Sequence, residues 1–271
     1  MKKISLMLFF LALFLTATVQ ADDVAYRAGL TSLKNGELNQ ALASFRQAAA
    51  KNPRNAEYTQ EFLVLRQVIT MQSQLDRTPA ATWNATAQRL RTYYDQKGAD
   101  SLLLELDRKI YAKFPTADNA ARLAESLTAN DQADEATGLL SNLSNKSPHT
   151  QAVLGLASLK KGNKDEAQKI AASVADSTLT PAAMLRLARL EAGLGEKDKA
   201  VSTLKTLFEQ LPKSQQTSAR ELCKKAPEFA SLQSDTAFAV VLQTPSKVTE
   251  SACSGGSSCG TCPMRSQCEG L

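Results

Sequence analysis

Apolar residues along most of the chain recur at intervals of three and four positions, the spacing of one face of an α-helix. Within residues 25–55, a first apolar-periodic segment ends at Gly36, a second carries Ala41 and Phe45, and Pro53 follows it. Glycine commonly ends a helix in the left-handed conformation, and proline interrupts helical hydrogen bonding. The order of these residues therefore predicts two helices joined by a tight turn.

The same order of residues returns along the chain. A small residue is followed seven positions later by a turn residue in the pairs Gly29 and Gly36, Ala124 and Asp131, Gly155 and Gly162, and Ala188 and Gly195. In the second pair, Asp131 takes the place of the turn glycine. The closing prolines Pro53, Pro115, Pro148 and Pro212 keep a period of roughly 32 residues. Self-similarity at a fixed period predicts an all-α protein of stacked helical hairpins.

These residues resemble the tetratricopeptide repeat, a helix–turn–helix unit of about 34 residues. The resemblance implies a right-handed superhelical solenoid, with repeats at about 24–56, 84–116, 117–149, 150–180 and 181–214. Residues 57–83 form an apolar-periodic but degenerate segment, and Arg91 stands where the repeat has a small residue. The pattern leaves the pairing of helices over 57–116 open. Residues 215–244 are predicted to be capping helices that cover the last apolar face.

Residues 1–21 have the features of a secretory signal peptide. Lys2 and Lys3 precede an apolar run over 4–19, and small residues lie before the predicted cut after Ala21. A transmembrane anchor is the alternative interpretation, although the run is shorter than a span of about 20 residues. We therefore expect an exported protein, periplasmic in a bacterium or secreted, without membrane attachment once the segment is cleaved.

The charge and the histidine content of the chain argue against several classes of function. The chain has 271 residues, with 32 Lys and Arg against 27 Asp and Glu, a formal charge of +5. This excess is too small and too scattered to indicate a nucleic-acid partner. The single histidine, His149, argues against Ser–His–Asp or Cys–His catalysis and against multi-histidine metal sites. The repeats are therefore expected to bind no cofactor and to catalyse no reaction.

The cysteines are concentrated at the C-terminus, where residues 245–271 lose the apolar period and are rich in Ser and Gly. We predict a flexible or cysteine-stapled tail there, with the thiols of Cys253, Cys259, Cys262 and Cys268. Cys223 lies apart on a predicted helix and is expected to be a buried apolar residue.

Three chemistries stay open for the four tail cysteines. Disulfides are the usual fate of paired cysteines in exported proteins. Four thiolates could instead hold zinc, and the Cys-x-x-Cys-Pro run is similar to part of the cluster-binding motif of iron–sulfur scaffold ATPases. The Cys-x-x-Cys formed by Cys259 and Cys262 is also the form used in thiol–disulfide exchange.

The family resemblance implies a binding function, because the first helices of such repeats line a concave surface. The predicted partner-binding residues are Tyr26, Leu30, Leu33, Leu156, Leu159, Arg186 and Arg189. Arg186 and Arg189 lie one turn apart and would contact an anion or carboxylate of a bound peptide. The sequence thus predicts an exported scaffold or adaptor for a protein or peptide partner. The alternative is a metal-binding or thiol-exchange factor that acts through its tail.

Overall fold

The structure, a computed structural model, describes residues 24–249, and every regular element in that range is helical. The first helix, α1, covers residues 24–34. It is followed by α2 (Leu38–Lys51), α3 (Ala56–Gln74), α4 (Ala80–Lys97), α5 (Asp100–Lys113), α6 (Ala117–Ala129), α7 (Ala133–Ser141), α8 (Pro148–Lys160), α9 (Lys164–Ala175), α10 (Pro181–Leu194), α11 (Lys197–Gln210), α12 (Lys213–Lys225) and α13 (Thr236–Val241). Short 3-10 helices lie at Leu75–Arg77 and Pro227–Leu232. The predicted all-α class is confirmed.

Left-handed turn residues join the helices into hairpins. Glycines with φ between +64° and +92° follow α1, α4, α8 and α10, at Gly36, Gly98, Gly162 and Gly195. Asp131 adopts the same conformation after α6, with φ of +59°. Glycine reaches this region without steric cost, and aspartate is among the few other residues that tolerate it. This confirms the prediction that Asp131 takes the place of a turn glycine.

A small residue on the first helix lets the second helix approach it closely. A Cβ at Gly29 of α1 would lie 2.5 Å from the ring of Phe45, sixteen residues later on α2. The Phe45 side chain is fully buried. Since a stiff, enclosed ring has little room to move, a larger residue at position 29 would force the two helices apart.

The hairpin of α4 and α5 has an ion pair at the corresponding two positions. Arg91 precedes Gly98 by seven residues and precedes Asp107 by sixteen, the spacings that Gly29 has to Gly36 and Phe45. Arg91 Nε donates to Asp107 Oδ1 at 2.8 Å, and Ser126 Oγ donates to Asp107 Oδ2 at 2.6 Å. The buried carboxylate, 1 % exposed, is therefore paired and hydrogen-bonded. Arg91 stands where the first hairpin has a small residue, and Asp107 on α5 stands where that hairpin has Phe45. The two changes from the repeat pattern therefore occur together.

The described part of the chain divides into two compact units, residues 24–132 and 133–249. In the first unit, α3 packs on α2, and α4 pairs with α5, so the degenerate segment holds one long helix and a 3-10 turn. In the second unit, α8 pairs with α9, and α10 pairs with α11. None of the helices within residues 24–249 is long and apolar enough to cross a bilayer.

The segment after α11 closes the core of the second unit. Phe229 and Leu232 of the second 3-10 helix and Phe238 of α13 are buried beside Phe208 of α11. Cys223 of α12 is fully buried in the same cluster, and burial raises the pKa of its thiol to about 12. The expectation that Cys223 is a buried apolar residue is confirmed.

Two glycines of the second unit give opposite expectations for the same substitution. Gly162 has φ of +92° and no atom within 4 Å of an added Cβ, so Gly162→Ala strains the backbone alone. We expect the free energy of unfolding to fall by about 1 kcal/mol. Gly138, inside α7, has the same free space, and Gly138→Ala is expected to raise it by about 0.5–1 kcal/mol. Urea denaturation measures both changes, and changes of equal sign would contradict this conformational origin.

A buried glutamate on α10 makes the stability of the second unit depend on pH. The Glu191 side chain is 4 % exposed, and its Oε2 accepts a hydrogen bond from Thr203 Oγ1 at 2.8 Å. Burial raises the pKa of Glu191 from 4.5 to about 7, against the lowering effect of the Thr203 hydrogen bond. The folded protein therefore holds this proton more tightly than the unfolded chain. Its contribution to stability is fully present below pH 4.5 and is lost as the pH rises to about 7.

Glu191→Gln keeps the acceptor for Thr203 and removes the titrating charge. We expect the variant to exceed the wild type in free energy of unfolding by about 3 kcal/mol above pH 7, and to match it below pH 4.5. Urea denaturation at pH values across this window measures the difference. Glu166→Gln, at an exposed site of α9, is the control and should keep the wild-type slope. A wild-type slope in Glu191→Gln would contradict the assignment.

Candidate protein-binding groove

An open apolar groove lies in the second unit between α10 and α12. The C-terminal half of α11 and the residue that follows it form the floor of the groove, where Leu207 and Leu211 are buried. Leu185 of α10 stands on one side, and Ala219 and Leu222 of α12 stand on the other. The groove has a volume of about 350 Å³. It is therefore large enough for apolar side chains of a second molecule.

The starts of two helices set the walls of this groove. The N–H of Ala183 donates to Thr180 Oγ1, which caps α10, and Pro181 occupies the first turn. Pro212 immediately precedes α12 and ends the run of α11. Proline at a helix start loses no hydrogen bond, since the first N–H groups of a helix have no partner within it. The N-terminal halves of α10 and α12 are thus held on either side of the end of α11.

Leu222 is the most exposed large apolar side chain of the groove. It is 49 % exposed, whereas its neighbour Cys223 points into the core and is fully buried. Ser214, Gln215 and Ser218 lie along the same helix at the groove rim. Their hydroxyl and amide groups can donate to, or accept from, the backbone of a bound segment. An exposed apolar patch with a polar rim is typical of a protein-interaction surface.

The predicted partner-binding residues of the first unit lie at different depths. Leu33 is 1 % exposed and belongs to the core of that unit, so it offers no surface to a partner. Leu30 is half-buried and packs against that core. Tyr26 is also half-buried, stacks on Tyr58 with ring centroids 4.7 Å apart, and donates its hydroxyl to Glu57 Oε1 at 2.8 Å.

In the second unit, Leu156 is 6 % exposed and lies in the core. Leu159 is half-buried, and its Cδ2 would lie 2.5 Å from a Cβ at Gly193. The Arg189 guanidinium forms two hydrogen bonds to the Glu228 carboxylate, at 3.0 Å and 3.1 Å. An anion of a partner would therefore have to compete with Glu228.

Arg186 is the predicted residue that lies beside the groove. Its Nη1 donates to the carbonyl oxygen of Ala182, a groove residue, at 3.3 Å. The seven predicted side chains are therefore not among those that line the groove, and Arg186 only contacts the backbone of a residue that does.

The groove leucines themselves were missed by the sequence analysis. Leu185, Leu207 and Leu211 each fit the apolar period of a helix and are indistinguishable from core residues in the sequence. The sequence gives only a weak indication that Leu222 is exposed. Leu222 and Cys223 are adjacent in a charged stretch, and only one of the two is needed on the face of the helix that packs on the core.

None of the side chains that line the groove is titratable, so they suit apolar binding rather than acid–base chemistry. Within residues 24–249, no group of three or more His, Cys, Asp or Glu side chains is placed to hold a metal ion. Cys253, Cys259, Cys262 and Cys268 lie outside the described residues, as does the predicted signal peptide at 1–21. The disulfide, metal and exchange chemistries of the tail stay predictions.

Comparison with known proteins agrees with the repeat pattern. A profile of the tetratricopeptide repeat matches residues 182–214, the hairpin of α10 and α11. Among solved structures, the chain is similar to the crystal structure of a tetratricopeptide repeat protein from Parabacteroides merdae ATCC 43184. The TM-score is 0.40 and the identity 14 %, over 83 % of this chain and 98 % of that chain. No curated protein matches the sequence. The chain thus contains one hairpin that matches the tetratricopeptide repeat, and left-handed turn residues recur after other helices of the described chain.

Proposed function

We propose that the protein is an exported scaffold that binds a segment of another protein in the groove between α10 and α12. Tetratricopeptide-repeat folds generally serve as protein-interaction scaffolds, because stacked hairpins present extended binding surfaces. The observation that carries the proposal is the position of Leu222, 49 % exposed on the wall of an apolar groove. A partner that covers Leu222 removes its apolar surface from water, and this burial favours binding.

The size of the groove supports a short segment as the ligand. Its volume of about 350 Å³ is near the lower end of the range of about 300–1,000 Å³ for ligand pockets. A few apolar side chains fill that volume, while the polar side chains of Gln215 and Ser218 lie at the rim. The mechanism is burial of apolar side chains, with no covalent chemistry on the partner.

Export is the second part of the proposal. The basic start, apolar run and small residues before the cut at Ala21 support a cleaved signal peptide. The periplasm of a bacterium is the compartment that we propose, so the partner would be an exported protein or peptide. Neither nucleic acid nor the membrane is proposed as a ligand.

The tail supports a separate proposal, because four cysteines lie within Cys253–Cys268. Metal content and free thiols, measured on the purified protein, distinguish its three chemistries. Stoichiometric zinc or iron that is lost in Cys259→Ser would establish a metal site. Protected thiols without metal would establish disulfides, and thiols that exchange with a model disulfide would establish exchange. Partner capture unchanged by deletion of 245–271 would show that binding does not depend on the tail.

Leu222→Asp tests the groove. The position is exposed, so the fold should accept a carboxylate, whereas a charge on the groove wall opposes burial of a partner's apolar side chain. We expect capture of the specific partner from periplasmic extract to fall by about 10-fold or more. The bound proteins are quantified by mass spectrometry after affinity purification of each variant.

Leu63→Asp is the matched control, since Leu63 is 45 % exposed and belongs to the first unit. It should retain capture, and circular dichroism should show the same helix content in both variants. Capture that survives Leu222→Asp, or that falls equally in both variants, would exclude the groove as the binding site.

A further inference from the structure

A polar cluster in the first unit has an unused hydrogen-bonding capacity. We call Tyr26, Glu57, Glu61, Tyr93 and Lys97 the tyrosine–glutamate cluster. Glu57 and Glu61 lie one turn apart on α3. Glu57 Oε1 accepts from the Tyr26 hydroxyl at 2.8 Å, and Glu61 Oε1 accepts from the Lys97 ammonium of α4.

Two buried polar atoms of this cluster have no hydrogen-bond partner among the described residues: Glu61 Oε2 and the hydroxyl oxygen of Tyr93. Tyr93 is only 8 % exposed. The Lys97 ammonium contacts Glu61 and lies 5.8 Å from the centroid of the Tyr93 ring, so the three side chains are close neighbours. Buried polar atoms in native proteins nearly always have a partner, because leaving one unpaired is costly. The pair of unpaired atoms therefore points to a bound group.

The charge of the cluster favours a cation. Glu57 and Glu61 carry two negative charges and the Lys97 ammonium, which is bound to Glu61, carries one positive charge, so these side chains sum to −1. Burial raises the pKa of Tyr93 far above its ordinary value, and the Glu61 charge raises it further. Its hydroxyl consequently stays protonated and neutral, with lone pairs that can accept from an N–H group. One positive charge would bring the cluster to neutrality.

We propose that the tyrosine–glutamate cluster binds the guanidinium group of an arginine side chain from a partner protein. A guanidinium is planar, weakly hydrated and rich in N–H donors, so it can donate to Glu61 Oε2 and to the Tyr93 oxygen together. The stacked rings of Tyr26 and Tyr58 add an aromatic surface that attracts cations. The proposal rests on the proposed function only in taking the arginine from a protein partner.

Lys97 is the internal competitor for this site. Its side chain is 23 % exposed, and that of Glu61 is 17 % exposed, so rotation of the lysine into water opens the space. Since its ammonium competes for the same carboxylate, removing that charge should strengthen arginine binding. A purely structural ion pair gives the opposite expectation, because Glu61 would lose its counter-ion and no ligand would replace it.

The test is a titration of the full-length protein with acetyl-Gly-Arg-Gly-amide, followed by amide ¹H–¹⁵N NMR. The same peptide with citrulline, which has the shape of arginine without its charge, is the matched ligand. We expect the arginine peptide alone to shift resonances of residues 57–61 and 93–97. Lys97→Met should tighten its binding several-fold, Glu61→Gln should weaken it by about 10-fold, and Tyr93→Phe should also weaken it.

Tyr94→Phe is the control for Tyr93→Phe. The Tyr94 hydroxyl is also buried and unpaired, but the nearby charge is that of Glu105 and not that of Glu61. This variant should bind as the wild type does. Equal shifts with both peptides, no shift with either, or weaker binding in Lys97→Met would overturn the proposal. These outcomes do not bear on the proposed binding groove of the second unit, because partner capture by Leu222→Asp is a separate measurement.

Discussion

The close contact between the two helices of a hairpin is the constraint on which the other features depend. At Gly29 the first helix presents a bare backbone to the ring of Phe45, and the left-handed turn at Gly36 allows the chain to return at that distance. Helices packed this closely leave apolar residues on their outer faces, which only a neighbouring hairpin can cover. The contact inside each hairpin thereby determines that hairpins stack, and that the last one needs a closing segment such as Pro227–Leu232.

The ion pair of Arg91 and Asp107 shows that this constraint applies to a pair of positions rather than to one residue. Arginine in place of a small residue would separate α4 from α5 if the partner position kept a phenylalanine. With aspartate there, the guanidinium is held at 2.8 Å, and Ser126 satisfies the other carboxylate oxygen. Removing the Arg91 charge alone would leave the Asp107 carboxylate buried without a counter-ion, which is far more costly than losing a surface pair. The two residues therefore depend on each other.

Features set by local spacing could be predicted from the sequence, and features set by docking could not. Asp131 was predictable as a turn residue, because it follows Ala124 by seven residues, the spacing that the turn glycines have to their small residues. Leu222 was not, because which of two adjacent apolar residues enters the core depends on how α12 docks. Arg189 was assigned to a partner's anion, yet its carboxylate comes from Glu228, 39 residues later in the chain. No periodic pattern reveals a partner at that separation.

The contact of Arg189 with Glu228 also bears on how the second unit recognises a ligand. Because Glu228 of the closing segment already holds this charge, the proposed groove would recognise a ligand mainly by apolar burial, through Leu185 and Leu222. Apolar burial is non-directional, so such a groove provides affinity with little selectivity. In the first unit, the tyrosine–glutamate cluster keeps a spare acceptor and a net negative charge. Selectivity there would arise from charge, since a neutral or anionic group would leave those buried atoms unpaired.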